Sequence, residues 1–138
     1  MKKSELRAYY LEKRKQIDIA QASDAIVDLL IGELTSSTEK IHTFIPIPGS
    51  QEINTWQFIK HCWSHDIVTA TSLTKFNPKR LEHTWFDANS RFEEGKFNVP
   101  IPTPLKPITD LSFDMVIVPL LCTDTRGNRI GYLSLIHI

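Results

Sequence analysis

The stretch FDMVIVPLLCTDTRGNRIG, from Phe113 to Gly131, decides how the rest of the chain is read. Met115 to Val118 is a short, continuously apolar run rich in β-branched residues, with Asp114 ahead of it and Pro119 near its end. Such a run predicts a strand buried on both faces, as in a parallel sheet with helices above and below. The composition then turns polar through Asp124, Thr125, Arg126, Gly127, Asn128, Arg129 and Gly131. Open α/β sheets hold ligands where a buried strand gives way to such a turn, at the carboxyl edge. Gly127 and Gly131 permit tight turns, and Arg126 and Arg129 can offer fixed positive charge to an anion. The same residues also suit a plain turn.

Residues 3–17 read as a helix of good formers. At about 100° per residue, Lys3, Arg7 and Arg14 fall within a stripe roughly 40° wide, beside a second narrow stripe of Leu6, Tyr10 and Ile17. Docked through the apolar stripe, this helix aims three cations into a cleft. Undocked, it is a solvated basic face, since Glu12, Lys13 and Lys15 show that charge is plentiful here. Asp18 with Gln21 reads as a capping box opening a second helix, whose apolar face is Ala22, Ile26, Leu29, Leu30 and Leu34. Ile41 to Ile47 is a strand, ended by Pro46, Pro48 and Gly49.

Asn54 or Thr55 then caps a helix carrying Trp56, Ile59 and Trp63. Glu52 stands just ahead of that helix. A carboxylate there either bonds the amide or amidine edge of a ligand or complements the helix dipole, worth about 0.3–1 kcal/mol. Ile67 to Ser72 and Leu81 to Phe86 are two further strands flanking an Asn77-Pro78 turn. Asp87 to Glu94 reads as polar connection. The alternate prolines of Phe97-Asn98-Val99-Pro100-Ile101-Pro102-Thr103-Pro104 force an extended, stiff segment, either a mount for Phe97 as a pocket wall or a linker.

The length of 138 residues fits one domain with a real core. A hydrophobic content of 41%, a charged content of 23% and zero formal net charge give no general electrostatic case for nucleic acid or an anionic membrane. No apolar run approaches the ~20 residues of a membrane span. The charged start, MKKSELRAYYLEKRK, is unlike a secretory signal, and Cys62 and Cys122 are too few for a disulfide framework, so a cytoplasmic setting is expected. His61 and His65 share a helix face beside Cys62, but no further pair at zinc spacing accompanies them, and no metal ligands are assigned. GxxxxGK[ST] and GxGxxG loops are both missing.

Four pieces in order resemble the 5-formyltetrahydrofolate cyclo-ligase family, also called methenyltetrahydrofolate synthetase. They are Lys3-Ser4-Glu5-Leu6-Arg7 with the later Arg14; Glu52-Ile53-Asn54-Thr55; Phe97-Asn98-Val99-Pro100-Ile101-Pro102; and Asp124-Thr125-Arg126-Gly127-Asn128-Arg129-Ile130-Gly131. The resemblance implies a three-layer α/β/α sandwich with a mostly parallel sheet, its C-terminal part missing. It implies use of ATP and Mg²⁺ to convert 5-formyltetrahydrofolate to 5,10-methenyltetrahydrofolate in a monomer. By the same resemblance, Lys3, Ser4, Glu5, Leu6 and Arg7 would meet the nucleotide with Arg129, Ile130, Gly131 and Tyr132, Arg129 acting in catalysis. Glu52 would bind the pterin edge, with Phe97, Ile45 and Ile47 flanking the folate.

The chain departs from the family at Pro48 to Gln51, which lengthen the loop before Glu52, and at Thr123, where the family often has Phe. Residues 1–132 are expected to form one incomplete cyclo-ligase-like domain. Leu133-Ser134-Leu135-Ile136-His137-Ile138 is expected to be a non-native tail, because one frame of a transposon end used in preparing sequencing libraries encodes it. The chain as it stands is therefore expected to be inactive, and the alternative is a non-catalytic folate- or nucleotide-binding remnant.

Overall fold

In the computed structural model, which describes residues 2–76, 79–95 and 98–131, Asp18 starts the helical layer. Its Oδ1 accepts the Gln21 N–H at 3.1 Å and opens α2 (Ile19–Gly32). The inward face of α2 is Ser23, Val27, Leu30 and Ile31, with Leu34 packed on the same core just beyond its end. The stripe expected from periodicity is thus rotated, leaving Ile26 exposed and Leu29 71% exposed. Apolar residues run around most of this helix, so spacing alone admits either face. A polar tie selects one: Ser23 Oγ accepts the Asn54 N–H at 2.9 Å.

β1 (Lys40–Thr43) pairs in parallel with β2 (Val68–Phe76) on one side and β6 (Met115–Ile117) on the other. β3 (Lys79–Phe86) joins β2 antiparallel, giving the order β3-β2-β1-β6. This is the expected α/β class with a mostly parallel sheet. α3 (Trp56–Ser64) carries the chain from β1 to β2. Asn54 Oδ1 accepts the Trp56 N–H at its start, while Thr55 Oγ1 donates to the Phe44 carbonyl. β1 stops at Thr43, short of the expected Ile47, because the chain turns away to make these ties and Pro46 has no N–H to continue the ladder.

Val27, Ile41, Phe58, Cys62 and Ile67 form the main core, with Met115 and Ile117 packed against it. A second cluster joins Ile45, Ile59 and Phe86 to the half-buried Trp56 and Trp63. Burying each of the larger side chains stabilises the fold by about 1.5–3 kcal/mol. The Trp63 Nε1–H donates to Thr69 Oγ1, which donates in turn to the Phe86 carbonyl, so this polar chain is satisfied inside the core.

Two expectations are corrected. β6 is not buried on both faces: Met115 and Ile117 turn inward, but Val116 is 55% exposed. α2 and α3 both pack on the Ile41 face, and the opposite face is that of His42 and Val116. There His42 meets His83 and Phe113, and Phe113 meets Trp85, all edge to face. Second, the expected polar connection contains a strand, β4 (Arg91–Glu94), paired antiparallel with β5 (Pro100–Thr103). Every β4 residue is exposed, so its polarity disguised it. Pro100 and Pro102 are two residues apart, which puts both ring nitrogens on the edge away from β4 and leaves the pairing intact.

Candidate functional site

β1 hands the chain toward β2 on one side, and the chain later reaches β6 on the other, so a topological switch point lies between β1 and β6. The helix α1 (Lys3–Arg14) spans the carboxyl side of that crevice through two arginines. Arg14 Nη1 donates to the Gln51 carbonyl beyond β1 at 3.0 Å, and Arg14 Nη2 donates to the Leu120 carbonyl beyond β6 at 3.1 Å. Arg7 Nε donates to the Gly131 carbonyl at 3.1 Å. Burial pulls the Arg14 guanidinium below its usual range, while the nearby Glu52 and Cys122 pull it back up. Two of the three cations of the basic stripe, Arg7 and Arg14, therefore turn toward Gly131 and the loops beyond β1 and β6, while Lys3 is exposed.

α1 is three residues shorter than its pattern suggests. After Arg14 the N–H groups of Lys15, Gln16 and Ile17 bond three residues back in a tightened last turn, and Ile17 is 52% exposed. Leu6 and Tyr10 are half-buried, and among the described residues no side chain of α1 is fully buried. At its start the Lys2 N–H donates to Glu5 Oε2 at 3.3 Å. Lysine has no acceptor to return the bond, so only half of a capping box forms.

Two loops face α1. In the first, Glu52 is buried, and its Oε1 accepts from the Ile47 N–H at 2.9 Å and from Ser50 Oγ at 3.2 Å. Oε2 has no protein donor among the described residues. Gly49, at φ +78°, lets the loop turn. The second loop is the hairpin of β7 (Cys122–Thr123) and β8 (Arg129–Ile130). Asp124 Oδ1 accepts the N–H groups of Arg126 and Asn128 at 2.8 and 2.9 Å, and Oδ2 accepts from Asn128 Nδ2 at 2.8 Å. These bonds, the Asn128 side chain first, hold the Asp124 carboxyl below its usual range. Gly127, at φ +85°, completes the turn.

The residues expected at the site separate into groups. Arg7 meets Gly131, and Glu52 sits beside the Arg14 contact at Gln51. Ile130 is half-buried in the hairpin, and Ile47 is half-buried beside Glu52. Lys3, Ser4 and Arg129 are exposed. Ile45 is 5% exposed and packs inward against the second core cluster. Phe97, Tyr132 and residues 133–138 lie outside the described residues. Spacing put Arg14 on the right stripe but gave no sign of its carbonyl partners, 37 and 106 residues away.

Other reactive groups are accounted for elsewhere. Burial pushes the Cys62 thiol up to about 11, which makes it inert as a nucleophile. His61 and His65 stack at 4.1 Å, and His65 Nδ1–H donates to the His61 carbonyl. Among the described residues no three His, Cys, Asp or Glu side chains converge to hold a metal. A concavity of about 550 Å³ lies on the β3 edge of the sheet, lined by Leu73, His83, Leu105, Ile108 and Leu111; it is on the far side of the sheet order from β6. No described helix is long and apolar enough to cross a membrane.

No protein-family model and no curated protein matches the chain in sequence. Among solved structures it is similar to the NMR structure of Aquifex aeolicus 5,10-methenyltetrahydrofolate synthetase. The likeness has a TM-score of 0.78 and covers 97% of this chain and 69% of that one, at 19% identity. At that identity it establishes the fold.

Proposed function

We propose that the crevice between β1 and β6 is the ATP and 5-formyltetrahydrofolate site of a cyclo-ligase that forms 5,10-methenyltetrahydrofolate, with residues 1–132 acting as one domain. The observation that carries this reading is the Arg7–Gly131 contact, which joins the two most widely separated of the four family-like motifs across 124 residues. The likeness in fold to a methenyltetrahydrofolate synthetase supports it.

In this reading the formyl oxygen takes the γ-phosphoryl group of ATP, N10 closes the ring, and phosphate leaves. ATP ends as ADP and phosphate, and no protein nucleophile is needed. Phosphoryl transfer asks mainly for positioning and for cations against developing charge. Arg7 is held by Nε alone, so its two terminal nitrogens, which have no protein partner among the described residues, are available to phosphate. Lys3 and Arg129, both exposed, add charge from either side. Mg²⁺ commonly comes bound to the phosphates of its nucleotide, keeping several waters and needing only one or two carboxylates. The described residues form no cage for it by themselves, so no step is assigned to a protein-held metal. A cytoplasmic monomer suits the reading.

The test is calorimetric titration with ATP·Mg²⁺ and with 5-formyltetrahydrofolate, followed by a methenyltetrahydrofolate absorbance assay. Arg7→Ala should weaken ATP binding roughly 10- to 100-fold, the loss of a charge-assisted bond of about 1.5–3 kcal/mol, while costing about 1 kcal/mol or less of stability in a urea melt. ATP-dependent turnover excludes the non-catalytic module, whereas binding of both ligands without turnover is expected of either reading. If the parent protein binds neither ligand, both readings fail.

A further inference from the structure

We propose that Arg14 is a positioning residue that holds the two lips of the crevice at a fixed separation, so that the Glu52 loop and the β7–β8 hairpin face one bound ligand pair together. The proposal builds on the folate and nucleotide reading of the crevice. Its geometric basis stands apart from that reading.

Arg14 is half-buried and bonds one backbone carbonyl on each lip, Gln51 at 3.0 Å and Leu120 at 3.1 Å. Nη1 and Nη2 belong to one rigid plane, so the two carbonyls are set at a spacing the fork dictates. Each is adjacent to a working part of the site. Gln51 precedes Glu52, whose Oε1 accepts the Ile47 N–H. Leu120 precedes Leu121, whose N–H donates to the Ile130 carbonyl at 2.7 Å. The next carbonyl along, that of Gly131, is the one Arg7 holds.

A purely structural helix would be fixed by apolar burial. α1 has no fully buried residue among those described, and its long-range polar bonds end on loop carbonyls at the strand ends. That arrangement aligns loops and adds little to the core. Lysine would keep the charge but present a flexible point donor, so it should not reproduce the spacing.

Parent, Arg14→Lys and Arg14→Ala proteins would be compared by native-state amide exchange and by titration with 5-formyltetrahydrofolate, alone and at saturating ATP. In both variants the Ile47 and Leu121 amides should exchange roughly tenfold faster or more, the equivalent of one lost hydrogen bond to a charged group. The Ile59 and Ile67 amides, bonded to the Thr55 and Cys62 carbonyls, should keep their parental rates. Affinity for 5-formyltetrahydrofolate should fall about tenfold, and any effect of ATP on it should be lost, since the lips no longer move as one.

Unchanged exchange at Ile47 and Leu121 overturns the proposal. So does an equal acceleration at Ile59 and Ile67, which would make Arg14 a residue for global stability. Parental behaviour in Arg14→Lys also overturns it, because charge alone would then suffice. If the parent protein binds neither ligand, the functional reading falls, while the exchange rates still decide whether Arg14 holds the lips.

Discussion

Glu52 Oε1 is committed to the Ile47 N–H and Ser50 Oγ, so a ligand can meet only Oε2. Glu52→Gln keeps an acceptor for Ile47 and loses the second one. We expect its urea midpoint to stay near that of the parent while 5-formyltetrahydrofolate affinity falls about tenfold, the scale of one bond to a charged group. Parental affinity would leave Glu52 as a loop brace. His42 carries the clearest pH signature. Burial, then His83 at 3.0 Å, pushes it down to about 4 from an ordinary 6.5, and its Nδ1 is buried without a partner among the described residues. The unfolded chain therefore binds more protons between those two values, and stability present above pH 6.5 is lost as the pH falls toward 4. A fully buried ring would make that window worth about 3 kcal/mol; partial exposure and screening reduce it to about 1–2 kcal/mol. Asp87, Asp114 and Asp124 are held below their ordinary 3.8, so their contributions vanish only under the His42 window. Urea melts at pH 7 and 4.5 should show this loss in the parent and a much smaller one in His42→Gln.

Among the elements, α2, α3 and the parallel strands could be read from caps and periodicity because their signals are local. Asp18 ahead of Gln21 is enough to start α2. What escaped the reading depends on which neighbour arrives. Nothing in Met115 to Val118 says that one face will be left uncovered, and the polarity of Arg91–Glu94 reflects exposure on both sides of a strand that is nonetheless paired. The shared stripe of Arg7 and Arg14 was legible in their spacing; the contacts they make were not, since these reach loops far apart in sequence. At the β4–β5 turn, the structure requires Gly95. A Cβ there would lie 2.5 Å from Ile101 Cδ1 and 2.9 Å from the Val99 carbonyl oxygen, which already accepts the Gly95 N–H at 2.8 Å. The side chain can swing away but the carbonyl cannot without breaking that bond. Gly95→Ala should lose about 1–3 kcal/mol in a urea melt, the usual cost of overpacking. A loss below the error of the melt would show that the turn relaxes freely.

For the whole molecule, the anchors of α1 have a consequence in time. Its partners at Leu120 and Gly131 are 106 and 124 residues away, so beyond its tie to Gln51 the helix made first cannot complete its docking until the last described strands exist. At ordinary translation rates of about 5–20 residues per second, Arg14 waits roughly 5–20 s for Leu120 to be made. In refolding, closing so long a loop for a few polar bonds and two half-buried apolar side chains, Leu6 and Tyr10, should come after the β1-centred core has formed. Tyr10→Ala should accordingly speed unfolding and leave the folding rate unchanged in stopped-flow urea jumps, whereas Ile41→Val, at the centre of the core, should slow folding. A slower folding rate in Tyr10→Ala would place α1 in the nucleus. If α1 docks last, any ligand gripping it together with the hairpin lengthens the lifetime of the finished fold without hastening its formation, and new chains pass through a stage in which the core has set but the crevice has not yet closed.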